Sequence, residues 1–120
     1  MTINTIIDEF KSIDKLKITE IKAHANPPRI IAYVLESVLI LLRKEPTITQ
    51  TRRLLADPHL IEILQNFDVQ SVDSTTLKKL KIFTSMESFN YESVLTVSQP
   101  IACLLKWVKE VEKMADHQLK

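Results

Sequence analysis

The sequence contains no glycine in 120 residues. The favoured hairpin turns need positive φ, which glycine supplies at least cost, so this absence argues against a sheet-rich fold. The loops that cradle phosphates in Walker and Rossmann sites also depend on glycine, so the chain holds a nucleotide in neither way. Cysteine is nearly absent too. Cys103 stands alone, no internal disulfide can form, and a reducing compartment is the natural reading. Charge of one sign is lacking: 16 Lys and Arg against 15 Asp and Glu leave +1, which argues against a strongly basic nucleic-acid binder. No long hydrophobic run is present. The most apolar stretch, Ile30 to Leu42, contains Glu36 and falls short of the roughly 20 residues that span a membrane. The N-terminus lacks a charged leader followed by an apolar core and a cleavage site, so secretion is not expected. His24, His59 and His117 are scattered singly and suggest no metal site. No paired carboxylates and no nucleophile–base spacing stand out, so neither a cofactor nor catalysis is expected of this chain.

What the sequence does have is helical patterning. Apolar residues make up 45% of the chain, enough for one domain with a modest core. Residues 3 to 24 read as one helix. Ile3, Ile7, Phe10, Ile13, Leu16 or Lys17, and Ile21 recur at spacings of three and four, with charged residues between them, the pattern of a coiled-coil seam. Asn26-Pro27-Pro28 breaks this helix, and Asn26 is placed to cap the next with Pro27 at its first position. That next helix runs to about Leu42 and is apolar nearly all round, the mark of a central helix. Its one polar stripe holds Arg29, Ala32, Glu36 and Arg43.

The middle of the chain is punctuated by caps. Pro46 with Thr47 or Thr49 opens a short helix through Arg52, Arg53, Leu54 and Leu55. Asp57-Pro58 closes it and starts another with Leu60, Leu64 and Phe67 on one face. Asp73 or Ser74 caps a helix whose inner face is Leu77, Leu80 and Phe83, with Lys78, Lys79 and Lys81 pointing the other way and Ile82 among them. Asn90 caps a brief helix from Tyr91 to Val97. Ser98 caps the last long helix, with Pro100 in its first turn and a second seam of Leu104, Val108, Val111 and Ala115. Trp107 beside that seam reads as core, with its N–H expected to find a partner.

Narrow seams at both ends are buried together if the end helices pair. The expected architecture is therefore all-α: a short antiparallel coiled coil bearing a small bundle of short helices. Residues 1–25 form the first arm and 26–97 the head. Residues 98–120 form the returning arm, packed on both, and the isolated chain is expected to be a monomer.

Thr19-Glu20-Ile21-Lys22, Asn26-Pro27-Pro28 and Leu35-Glu36-Ser37-Val38 together resemble the start of the microtubule-binding domain of dynein heavy chains. Leu55-Ala56-Asp57-Pro58, Asn66-Phe67-Asp68, Leu77-Lys78-Lys79-Leu80, Phe89-Asn90-Tyr91 and Trp107-Val108 continue the likeness in order. It covers roughly residues 16 to 115. The family often places glycine after the Leu-Leu pair that ends its first head helix, whereas Arg43 follows Leu41-Leu42 here. Ala56-Asp57-Pro58-His59-Leu60 is more similar to axonemal than to cytoplasmic members.

The resemblance implies microtubule binding at a stalk tip, with strength set by the register of the stalk coiled coil. The remaining partner is then the rest of a dynein heavy chain, in the cytoplasm or the axoneme of a cilium. It points to Arg29, Lys78, Lys79 and Lys81 as microtubule contacts and to Pro27-Pro28 as the hinge. Ile7, Phe10, Ile21, Leu104, Val108 and Val111 are the stalk seam. On residue types alone the lysine run reads first as an ordinary solvated face, and only the resemblance tips it towards contact. The head, Asn26 to Val97, carries eight basic and eight acidic side chains, so any electrostatic footprint must be local. A structural helical hairpin binding another protein is the alternative in a different class.

Overall fold

The computed structural model describes residues 3–13 and 28–119. Among them are seven α-helices and no strand: α1 (Ile3–Ser12), α2 (Arg29–Leu41), α3 (Ile48–Ala56), α4 (Leu60–Gln65), α5 (Ser74–Thr84), α6 (Tyr91–Leu95) and α7 (Gln99–Gln118). A 3₁₀ turn, Val69–Ser71, links α4 to α5. The all-α expectation holds.

Most helix starts are set by the residues the sequence offered as caps. Thr47, Asp73 and Asn90 accept from the backbone N–H groups of Gln50, Thr76 and Ser93, at 3.1, 2.7 and 2.9 Å. Each bond satisfies one of the donors that a helix start leaves unpaired. The start of α2 departs from expectation. Its N-cap is Pro28, extended at φ −51° and ψ 145°, with Arg29 as the first helical residue. The Pro28 carbonyl accepts from Ile31 N–H at 3.0 Å. Asn26, Pro27, Ile21 and the expected second half of the first arm lie outside the described residues. The brief helix opened by Asn90 ends at Leu95, two residues early.

Helix α7 organises the packing. At 20 residues it is about 30 Å long and spans most of a molecule measuring 40 × 26 × 25 Å. Helices α1, α2, α5 and α6 and the 3₁₀ turn all pack against it. Its buried face runs from Pro100 through Leu104, Val108 and Val111 to Ala115. Trp107 is 1% exposed and meets the Phe67 ring edge-on at 5.4 Å. Contrary to expectation, its Nε1–H finds no acceptor among the described residues.

Helix α1 packs more broadly than a single seam implies. Ile6, Ile7, Phe10 and Ile13 are all buried, and α1 rests on α4 as well as α7. The adjacent pair Ile6-Ile7 widens the apolar face enough to serve two neighbours. Against α7, Lys106 reaches Glu9 at 2.9 Å, and the Cys103 thiol donates to the Ile6 carbonyl at 3.3 Å. The far half of α7 is covered by the head instead, through α5 and the 3₁₀ turn, where Gln118 donates to the Val69 carbonyl at 2.8 Å.

Candidate functional site

Helix α5 presents a face that the core does not use. Leu77 and Leu80 are buried, and Phe83 is half-buried with its ring centroid 5.9 Å from that of Tyr33 on α2. Lys78, Lys79, Lys81 and Ile82 are exposed. The 3.6-residue period does the sorting: Leu77 and Leu80 are three apart on the inner side, and Lys78, Lys79 and Ile82 fall on the outer one.

The three lysines are not equivalent. Lys81 Nζ lies 2.9 Å from Asp116 Oδ1 on α7, and that hydrogen bond holds its ammonium above the usual lysine value. Thr84, one turn on, donates to Glu112, so α5 is joined to α7 by two neighbouring polar links. Among the described residues, Lys78 and Lys79 make no such ion pair. The opposite end of α5 is tied to α2. Arg43 donates to the Ser71 carbonyl at 2.6 Å and lies 3.6 Å from the carboxylate of Asp73, the α5 cap. The Thr76 N–H bond, with Arg43 and Lys79 nearby, holds the Asp73 carboxyl below the usual range.

Arg29 is exposed at the first position of α2, immediately after Pro28. Glu36, on the same helix, is half-buried, and burial raises its carboxyl. Of the seam residues, Ile7, Phe10, Leu104, Val108 and Val111 are all buried. Burial likewise pushes the thiol of Cys103, a small buried core residue, up to about 11. Burial acts to lower the Lys106 ammonium, but Glu9 with Tyr91 and Cys103 outweighs it and the group is held raised. Lys106 also sits 4.3 Å from the Tyr91 ring centroid, joining α1, α6 and α7. No three His, Cys, Asp or Glu side chains gather as a metal site among the described residues.

Sequence reasoning identified the lysine face but missed the links from α5 to Asp116, Glu112 and Arg43. Those partners lie about 30 residues away along the chain, and no local pattern announces them. A helical head with an outward basic edge, resting on a long returning helix, narrows the choice of families. Residues 3–117 match the family model described as the microtubule-binding stalk of the dynein motor. The chain belongs to this dynein stalk family.

Its dynein relatives include both axonemal and cytoplasmic heavy chains. It is 34% identical over 100 residues to Dynein-1-beta heavy chain of the flagellar inner arm I1 complex from Chlamydomonas reinhardtii, covering 83% of this chain and 2% of that protein. It is 31% identical over 102 residues to human Dynein axonemal heavy chain 2, covering 85% and 2%. To the cytoplasmic dynein heavy chain of Drosophila melanogaster it is 28% identical over 109 residues, covering 88% and 2%. The chain thus spans about 2% of the length of these dynein heavy chains, the stalk segment and not the motor's ATPase.

Proposed function

We propose that this chain is the stalk tip of a dynein heavy chain and that it docks on the microtubule. Membership of the dynein stalk family carries this reading. Lys78, Lys79 and Arg29 are exposed side chains able to meet an acidic wall. Because basic and acidic residues balance over the head, attraction comes from this local face rather than from net charge. Affinity is set by the register in which the first arm lies on α7, with Pro27-Pro28 as the hinge that carries a shift to α2. The axonemal heavy chains among its relatives support a place in the cytoskeleton, including an axoneme. Nucleotide hydrolysis belongs to other parts of such a heavy chain.

Co-sedimentation with microtubules tests the reading. The chain is expected to pellet, and to pellet less as salt rises, because exposed charge attraction decays over roughly 8 Å at physiological ionic strength. Lys78→Glu with Lys79→Glu should weaken pelleting while leaving the helical circular dichroism signal intact, since both side chains oppose the buried face. A folded double variant that pellets as well as the parent would show that α5 is not the contact.

A further inference from the structure

We propose that the docking edge of α5 is Lys78, Lys79 and Ile82, with Ile82 its apolar anchor, and that Lys81 is a positioning residue that fixes α5 on α7 through Asp116. This rests on the microtubule reading above and divides the basic helix into two functions.

Ile82 is 64% exposed, while every other apolar residue of α5 is turned inward or half-buried. It stands four residues after Lys78 and three after Lys79, the spacings that place side chains side by side on one helical edge. Helix propensity does not account for it, because a β-branched residue is a weaker helix former than the straight-chain residues an exposed position accepts. A single exposed apolar residue is ordinary on a protein surface. What distinguishes Ile82 is its setting beside two lysines with no ion pair among the described residues. An apolar centre within a charged rim is the anatomy of a protein docking site. The partner it fits is an acidic protein surface with an apolar recess between carboxylates, here the microtubule wall.

Lys81 is drawn the other way. Its ammonium is already engaged by Asp116 at 2.9 Å, with Thr84 and Glu112 forming the adjacent link. Lys81 and Thr84 are three apart on α5, and Glu112 and Asp116 are four apart on α7, so the two pairs are neighbouring rungs between the helices. A cation held there adds little attraction for a partner. Its effect is to fix the angle at which α5 presents its outer edge, and to tie that edge to the returning arm of the stalk.

The test is co-sedimentation of this chain and folded variants with microtubules assembled from purified tubulin, across a range of salt. Ile82→Ala is expected to weaken binding about five-fold with an unchanged salt dependence, since it removes apolar area and no charge. Lys79→Glu should weaken binding and flatten the salt dependence. Asp116→Asn decides the role of Lys81. A positioning role predicts binding weakened about two-fold, the scale of an exposed ion pair, and restored by pairing Lys81→Asp with Asp116→Lys. A contact role predicts the opposite sign, because freeing Lys81 would strengthen binding. Parental binding by Ile82→Ala, or tighter binding by Asp116→Asn, overturns the proposal. If the parent pellets and Lys79→Glu does not, the microtubule reading survives that failure. If the parent itself does not pellet, both fall together.

Discussion

Arg43 occupies the left-handed region, with φ of 60°. The bonds around it explain why. Its N–H donates to the Ile40 carbonyl at 3.1 Å and the Lys44 N–H to the Leu39 carbonyl at 2.9 Å, the paired bonds of a Schellman helix end. Arginine takes a conformation its Cβ disfavours, and the contacts to Ser71 and Asp73 hold the side chain in place. Arg43→Ala keeps the unfavourable φ and loses both contacts, whereas Arg43→Gly loses the contacts but relieves the φ. Urea denaturation is therefore expected to show the glycine variant more stable than the alanine variant by about 1 kcal/mol. Equal stabilities would mean that the positive φ costs nothing.

Cys103 offers a second test at this scale. Its folded thiol is raised to about 11, above the roughly 8.5 of an unfolded thiol. A raised acid contributes stability that is complete below the unfolded value and is lost as pH climbs through the folded one. Between about pH 8.5 and 11 the parent should lose thermal stability more steeply than Cys103→Ala, which has no thiol to ionise. Parallel slopes would rule out burial of the thiol as the cause.

At the scale of the element, α1 is the least conventional. A narrow seam predicts one partner, but Ile6, Ile7, Phe10 and Ile13 bury against two helices. These residues belong to the same apolar core as α2 and α7. Removing the Phe10 ring should then destabilise the whole molecule rather than release one helix. Phe10→Ala is expected to cost about 3 kcal/mol and to keep a single unfolding transition by circular dichroism and by Trp107 fluorescence. A separate early transition confined to helix content would mean that α1 is an independent appendage. Helix α5 shows the complementary case, since its short length is compensated by ties at both ends. Asp73 and Arg43 hold one end near α2, and Lys81 and Thr84 hold the other against α7.

For the whole molecule, α7 is the central support on which the other helices pack. Its face from Ile101 to Ala115 is buried by α1, α2, α5, α6 and the 3₁₀ turn. A shift of α7 therefore bears directly on α5 through the Lys81 and Thr84 links, as well as on α1.

The sequence by itself determined the helical class, because a chain without glycine has few ways to turn strands and many of its caps are side chains acting within three residues. Thr47, Asp73 and Asn90 start helices by contacts that short-range order alone makes possible. The inward set Leu77 and Leu80 and the outward set Lys78, Lys79 and Ile82 were legible for the same reason, since helical periodicity fixes faces before any packing. Only the tertiary structure decided what each outward residue is free to do. Lys81 shares its composition and spacing with its neighbours but meets Asp116, 35 positions on, and so loses its freedom. The broad docking of α1 and the Trp107 N–H that meets no acceptor among the described residues were decided there too. Each depends on which helices come together, and periodicity names a buried face without naming what covers it.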